Sequence, residues 1–377
     1  MESGTVLRYE KLGYKNSKRI LFICPYPLNQ APSQRFRFEQ YFDTLGENGF
    51  QIQSRPFISL TTWKILYTRG NLLGKTWGLI KGYLKRALVL FIVPHFDYVF
   101  IHREASPLGP PWFEYIVAKV FNKKIIYDFD DAIWMSDKSM ENGFVKALKW
   151  RKKIRQIITW SWKISCGNQF LLDYAIQFNQ NSFLNPTTID TEHLHKIPDV
   201  EIPNKKNTIV IGWTGSHSTI SYLKPFETVF QTLLKKYSHI ILLVISNQKP
   251  NLNINSKSLH FVEWNPKSEI EDLLRIDIGI MPLPDDEWSR GKCGFKILQY
   301  MSLNIPSVAS KVGVNEIIIK NGVNGYLCTT KDEWLSALEE LIVDPEHRKQ
   351  IGSRGKLTVD KYYSVSTNTD NFLDLFE

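Results

Sequence analysis

One pattern recurs along this chain and limits what it can become: a short apolar run, an abrupt stop at Pro, Gly or Ser, then a segment with helical spacing. Arg19–Cys24 (RILFIC) halts at Pro25-Tyr26-Pro27 and leads through a polar loop to FEQYFDTLGENG. DYVFIHRE, then PPWFEYIVAKVF, then KKIIYDFDD repeat the order, followed by a basic helix over about 144–164, the strand-like ISC and a helix after Asn168. Residues 193–207 carry two prolines and no periodicity, which marks a linker. The pattern then restarts with NTIVIGWTGS, ISYLKPFETVFQTLLKKY and HIILLVIS, and runs on to helices over 333–341 and 346–361. Strands alternating with helices imply parallel α/β sheets. We therefore expect an α/β chain of two Rossmann-like domains facing each other across a cleft at the carboxyl ends of their strands. The expected boundaries are 1–192 for the first domain, 193–207 for the linker and 208–358 for the second. Residues 359–377 form a helix or tail that returns to the first domain.

The 377 residues suffice for two full cores. Cys24, Cys166, Cys293 and Cys328 are scattered, with no CxxC or Cys/His cluster, which excludes a disulfide scaffold or zinc site and suits a reducing compartment. The first 19 residues hold no apolar stretch, so no secretory signal is expected. The longest apolar run, Ala87–Phe96, is about half the roughly 20 residues a bilayer span needs. The net charge of +9 is unevenly shared: residues 1–190 hold 26 Lys+Arg against 15 Asp+Glu, leaving 21 against 23 for the rest. No acid occurs between Glu47 and Asp97, where Arg55, Lys64, Arg69, Lys75, Lys81, Lys85 and Arg86 alternate with Trp63, Tyr67, Trp77, Tyr83 and Phe91. A second acid-free stretch runs from Glu141 to Asp173. These stretches fit an anionic membrane surface, or a solvated helix face with its aromatics in the core. Nucleic acid is not expected, because no nucleic-acid motif accompanies the charge.

The densest chemistry is Ser289 to Lys296, where Arg290, Lys292 and Lys296 surround Gly291 and Gly294 just before a helix. Cations at a helix N-terminus suit a diphosphate, although a solvated basic loop has the same composition. Gly212-Trp213-Thr214-Gly215-Ser216 is a small-residue loop after a strand that allows close approach to phosphate, or a plain tight turn. Val314, Asn315 and Glu316 open another helix one strand away.

Taken in order, these pieces resemble the family-4 glycosyltransferases, a group with the GT-B fold. KCGFKILQYMSLNIPSVAS is similar to that family's loop and "EAMAxGxPVVAS" helix, VGVNEII to "GGxxEII" and NGVNGYL to "GxNGxL". Asn185, Ile189, Asp190 and Thr191 match its "PNGVDT" motif. The resemblance implies a retaining hexosyltransferase that needs no metal and uses a nucleoside-diphosphate sugar as co-substrate. In such a reaction the charge of Arg290, Lys292 and Lys296 suits stabilisation of the departing diphosphate, a catalytic role, and His102 at a strand end is the catalytic candidate of the first half. Donor contacts fall to Gly212, Thr214, Gly215, Ser216, Gly294, Phe295, Gln299, Val314, Asn315 and Glu316. Gln299 stands where the family has the second Glu of a Glu-x7-Glu pair, and Gly291 where it has the first. That departure keeps two rivals open: a sugar-nucleotide epimerase of the same architecture, and a catalytically silent glycan-assembly scaffold.

On the acceptor side stand Arg35 and Arg37, in the loop after the first strand, and Arg103, Glu104, Asp128 and Asp130 at strand ends. Arg35 and Arg37 also read as an exposed helix turn, and His102 as a hydrogen-bonded core histidine. Asp128-Phe129-Asp130-Asp131 offers hard oxygen ligands for Mg2+, but its place at a strand end favours loop structure or acceptor contact, and no metal is expected. The reading that results is a glycosyltransferase at the cytoplasmic face of a membrane, peripheral on the inner leaflet. It extends a lipid-linked or surface-glycan precursor.

Overall fold

The computed structural model describes residues 17–66, 68, 70–135, 150, 152–197, 208–216 and 218–377. The chain divides into two compact units, one of Met1–Pro186 with Thr369–Glu377 and one of Thr187–Asn368. Each is built on a six-stranded parallel sheet with helices between strands.

In the first unit the strands are β1 (Arg19–Cys24), β2 (Gln51–Pro56), β3 (Tyr98–His102), β4 (Lys124–Phe129), β5 (Lys163–Cys166) and β6 (Ser182–Leu184), in the order β2-β1-β3-β4-β5-β6. The chain leaves β1 for one side and returns on the other, which makes a topological switch point between β1 and β3. Among the described residues, the helices of eight or more residues are α1 (Leu72–Val89), α2 (Lys153–Trp160) and α3 (Gln169–Ile176). Asn168 caps α3, its side-chain oxygen accepting from the Leu171 amide at 2.9 Å. The strands are buried on both faces, so they read as continuous apolar runs. Phe22, Phe38 and Phe100 lie together in this core, with ring centroids 4.9–5.5 Å apart.

The second unit carries β7 (Ile209–Gly215), β8 (Ile240–Ser246), β9 (Leu259–Glu263), β10 (Ile278–Met281), β11 (Ser307–Ser310) and β12 (Tyr326–Cys328) in the order β12-β11-β10-β7-β8-β9. Its switch point lies between β7 and β10. Helices α4 (Leu223–Lys236), α5 (Phe295–Ser302), α6 (Lys331–Val343) and α7 (Pro345–Tyr362) belong to it. Thr330 and Glu333 form a reciprocal capping box at the start of α6, and Asp344 with Pro345 starts α7 one residue after α6 ends. Among the described residues no helix is long and apolar enough to cross a membrane.

Several expectations change. The first unit ends at Pro186 rather than 192. Helix α7 continues past 358 to Tyr362, and the segment that returns begins at Thr369. The returning segment is anchored by Phe372, stacked on Tyr41 with centroids 4.1 Å apart, and by Phe376 beside Tyr98 and Phe100. Strand β2 and helix α1 were not evident in the sequence. Of the basic stretches, Tyr67, Arg69, Lys146, Lys149 and Arg151 lie outside the described residues, as do positions 198–207 of the linker.

Candidate functional site

In the second unit three loops meet at the carboxyl ends of β7, β10 and β11, beside the switch point. Glycines set how closely they approach. Gly294, at φ 68°, precedes α5, and a Cβ there would fall 2.4 Å from Ile318 Cδ1 and 3.1 Å from Val314 Cγ1. A Cβ on Gly313, at φ 57°, would lie 3.0 Å from the Arg290 Cα. On Gly215 it would lie 3.0 Å from Lys296 Cε. The loop after β10 thus packs directly on the loop after β11 and reaches the end of β7. Leu283 reinforces this by donating its amide to Ser310 Oγ at 2.8 Å.

Over this junction stand the expected cations. Arg290 is exposed and pairs with Asp285 at 3.0 Å. Lys292 and Lys296 are half-buried, their ammonium groups 5.5 and 5.7 Å from the ring centres of Trp288 and Trp213. Phe295 opens α5, whose first turn directs backbone N–H groups to the same end. Ser289 was not foreseen: its hydroxyl is buried without a hydrogen-bond partner. Ser216 is exposed at the end of β7, and Glu316 is exposed on the short helix Asn315–Ile318, with Val314 half-buried before it.

Four donor-side expectations need correction. Gly212 is not in a loop: β7 extends to Gly215, and a Cβ at 212 would fall 2.3 Å from Ile276 Cγ1, so this glycine makes room for the core. Thr214 is buried, and its amide donates to Tyr300 Oη at 2.9 Å. Asn315 is buried and donates to the Ser310 carbonyl at 2.9 Å, holding the loop rather than facing out of it. Gln299 is 1% exposed, and its amide nitrogen lies 3.3 Å from Glu269 Oε1 and 3.2 Å from His195 Nε2. Its nitrogen is therefore engaged inside the unit, away from the role of a ribose ligand on an open surface.

In the first unit the strand-end polar residues form one buried network. Asp128, at the end of β4, accepts from Arg37 through both oxygens, from Ser165 Oγ at 2.6 Å and lies 2.7 Å from His102 Nδ1. Arg37 also donates to the Asn185 carbonyl, and Asn185 donates to Ser165 Oγ at 2.9 Å. Burial alone raises a carboxyl pKa, but the Arg37 charge and the His102 hydrogen bond outweigh it and hold Asp128 well below the usual range. Arg37, His102 and Asp128 are each at most 2% exposed, which corrects their expected place on a substrate-facing surface. His102 nevertheless keeps one atom in reserve: Nε2 is buried and makes no hydrogen bond.

Arg103, at φ 59°, reaches Asp130 and Asp131 at 2.7 and 2.5 Å. Burial lowers its pKa, but the two carboxylates more than reverse this. The DxDD carboxylates are thus engaged with Arg37, His102 and Arg103. Glu104 pairs with Lys153 at 2.6 Å, which buries a lysine expected at the surface. Arg86 is likewise buried, donating to the Ala105, Arg55 and Cys24 carbonyls. Arg35 is half-buried, its guanidinium 5.0 Å from the Phe36 ring centre. A group with no motif to announce it is Glu39. Burial pushes its pKa up to about 7, although it accepts from the Asn29 amide at 2.7 Å and Gln34 Nε2 at 2.9 Å.

Residues 229–358 match the family described as glycosyl transferases group 1. The chain is 24% identical over 117 residues to the glycosyltransferase 1 domain-containing protein 1 of Xenopus tropicalis. That match covers 31% of this chain and spans about a third (33%) of the relative. Among solved structures, HepE from Anabaena in complex with UDP and glucose is similar at TM-score 0.65 and 13% identity, over 95% of this chain and 99% of that one. Sucrose-phosphate synthase from Thermosynechococcus elongatus is similar at TM-score 0.67 and 11% identity, over 95% and 98%. These likenesses establish a GT-B-like fold with two parallel six-stranded sheets.

Proposed function

We propose that this chain, whose residues 229–358 match the glycosyl transferases group 1 family, is a retaining hexosyltransferase whose donor is a uridine-diphosphate sugar. The observation that carries this reading is the meeting of three loops at the β7/β10 switch point, with Lys292 and Lys296 half-buried at the N-terminus of α5. Breaking the bond between a sugar and a diphosphate leaves negative charge on the phosphate. Half-buried ammonium groups and helix N-terminal amides stabilise that charge more than exposed ones, because less water screens them. Arg290 adds a guanidinium, and Ser289 holds an unused hydroxyl beside it. The UDP and glucose bound by HepE support the choice of nucleotide and sugar.

In this reading the leaving phosphate oxygen takes the acceptor proton on the face it departs from, so no separate base is needed. In the first unit, Asp128 fixes the buried His102 ring through Nδ1 and leaves Nε2 as its one unpartnered nitrogen. The acceptor is a lipid-linked or surface-glycan precursor, a choice supported by the basic first half of the chain.

Titrating UDP-glucose into the protein and its Lys292→Ala and Lys296→Ala variants tests the donor site. Each variant is expected to raise the Kd about tenfold, as for loss of one charge-assisted hydrogen bond. Unchanged affinity in both removes the loop from the site. Product analysis separates the rivals: slow release of UDP fits a transferase, sugar interconversion an epimerase, and absence of donor binding a scaffold.

A further inference from the structure

Helix α1 is buried on one face, and the face opposite is apolar and exposed. Gly78, Gly82, Arg86 and Val89 turn inward. A Cβ at Gly78 would lie 2.4 Å from Thr62 Cγ2, and one at Gly82 would lie 2.6 Å from Phe57 Cε1. On the opposite side, Leu73, Trp77, Ile80, Leu84 and Leu88 recur every three or four residues, so at about 100° per residue they form one stripe. Phe91 continues it beyond the helix end. Leu73 is 88% exposed, Phe91 79%, Leu88 65%, Leu84 58% and Trp77 55%. A contiguous row of this kind on the outside of a helix marks a contact surface.

The charges beside the row select its partner. Lys81 and Lys85 are exposed along one margin of the stripe, and Lys64 is exposed on the neighbouring helix Leu60–Leu66. The Lys81 ammonium lies 5.4 Å from the Trp77 ring centre. No carboxylate occurs between Glu47 and Asp97 to oppose them. A symmetric contact with a second copy would bring these lysines toward each other without a counter-charge from the same patch. An anionic lipid surface meets both needs, accepting apolar side chains at the acyl boundary and ammonium groups among the phosphates.

We infer that the outward face of α1 docks on an anionic bilayer, lying in the interface with Leu73, Trp77, Ile80, Leu84, Leu88 and Phe91 inserted and Lys64, Lys81 and Lys85 at the headgroups. The helix does not span the membrane. Its docking is independent of the donor reading, because none of these side chains belongs to the loops that would hold the nucleotide.

The test is co-sedimentation of the full chain with equimolar phosphatidylcholine/phosphatidylglycerol vesicles and with phosphatidylcholine alone. The protein is expected to pellet with the first only. The Lys81→Glu/Lys85→Glu variant is expected to bind at least tenfold more weakly, since each lysine near an anionic leaflet contributes roughly fivefold. The Leu73→Gln/Leu84→Gln/Leu88→Gln variant is expected to lose binding even at low salt. Both variants keep the parent melting temperature and its rate of UDP release from UDP-glucose in the absence of vesicles, because the altered side chains face outward. Three results overturn the inference: no pelleting of the parent, equal pelleting of parent and variants, or a parent dimer that the Leu variant converts to monomer. A failed UDP-glucose assay with intact vesicle binding would instead count against the donor reading alone.

Discussion

At the scale of single residues, the sharpest consequence is electrostatic. Asp128 is a buried carboxylate whose pKa is depressed, so its ionised form stabilises the fold at neutral pH. That contribution is complete above the unfolded carboxyl value of about 3.9 and is lost as pH falls below it toward the native value. Asp128→Asn keeps the shape but leaves Arg37 buried without its counter-charge, and is expected to cost about 3–5 kcal/mol at pH 7. Thermal melts of parent and variant check this: the gap should be widest at neutral pH and narrow below about pH 4. Glu39 runs the opposite way. Burial raises its native pKa to about 7, above the ordinary carboxyl range, so the native state holds its proton more tightly than the unfolded chain does. Its contribution is full below the unfolded value and is lost as pH rises through about 7. Glu39→Gln should remove that loss, so the ratio of variant to parent stability should rise between pH 5 and 8 in urea titrations. An unchanged ratio would mean that Glu39 ionises as an ordinary surface carboxylate.

At the scale of elements, the alternation of apolar runs and helical segments was legible because parallel strands buried on both faces leave continuous apolar stretches. β1, β3, β4, β7, β8 and β10 were evident for that reason. β2 was not, because QIQSRP lies at a sheet edge and carries one aliphatic residue, Ile52, with Ser54 at its other buried position. Helix α1 was hidden by its own chemistry: with an apolar row outside and glycines inside, its periodicity is inverted relative to an ordinary surface helix. The basic loop before α5 was legible from composition. The inward turn of Gln299 was not, since its partners Glu269 and His195 lie 30 and 104 residues away along the chain. The same holds for Arg37 and Asp128, which are 91 residues apart. Gly294 joins sequence to site most directly, because it needs φ 68° and leaves no room for a Cβ beside Ile318. Gly294→Ala should therefore cost about 1–2 kcal/mol from the left-handed backbone alone. The variant should also bind UDP-glucose more weakly by turning the first amides of α5. Calorimetric titration checks the affinity, and an unchanged Kd in a destabilised protein would separate the helix terminus from the donor.

At the scale of the whole molecule, the order of the chain differs from the order of the units. The polypeptide leaves the first unit at Pro186, completes the second, and returns at Thr369 to finish the first. The returning segment is short but well anchored: Phe372 and Phe376 are fully buried, in ring contact with Tyr41, Tyr98 and Phe100. Lys163 at the start of β5 also donates to the Asp374 carbonyl at 2.5 Å. Ending the chain after Asn368 would open this part of the core, and burial of one such phenylalanine is commonly worth about 3–5 kcal/mol. The core of the second unit, formed by Ile211, Trp213, Phe226, Leu338 and their neighbours, includes none of these residues. Scanning calorimetry of the truncated chain should show the first unit melting well below its parent temperature, with the second nearly unchanged. Adding UDP-glucose should then raise only the second transition, because a ligand stabilises the part of the chain that binds it. Coincident loss of both transitions would show that the units fold as one cooperative body, and that the donor site depends on residues 369–377 as much as on the loop before α5.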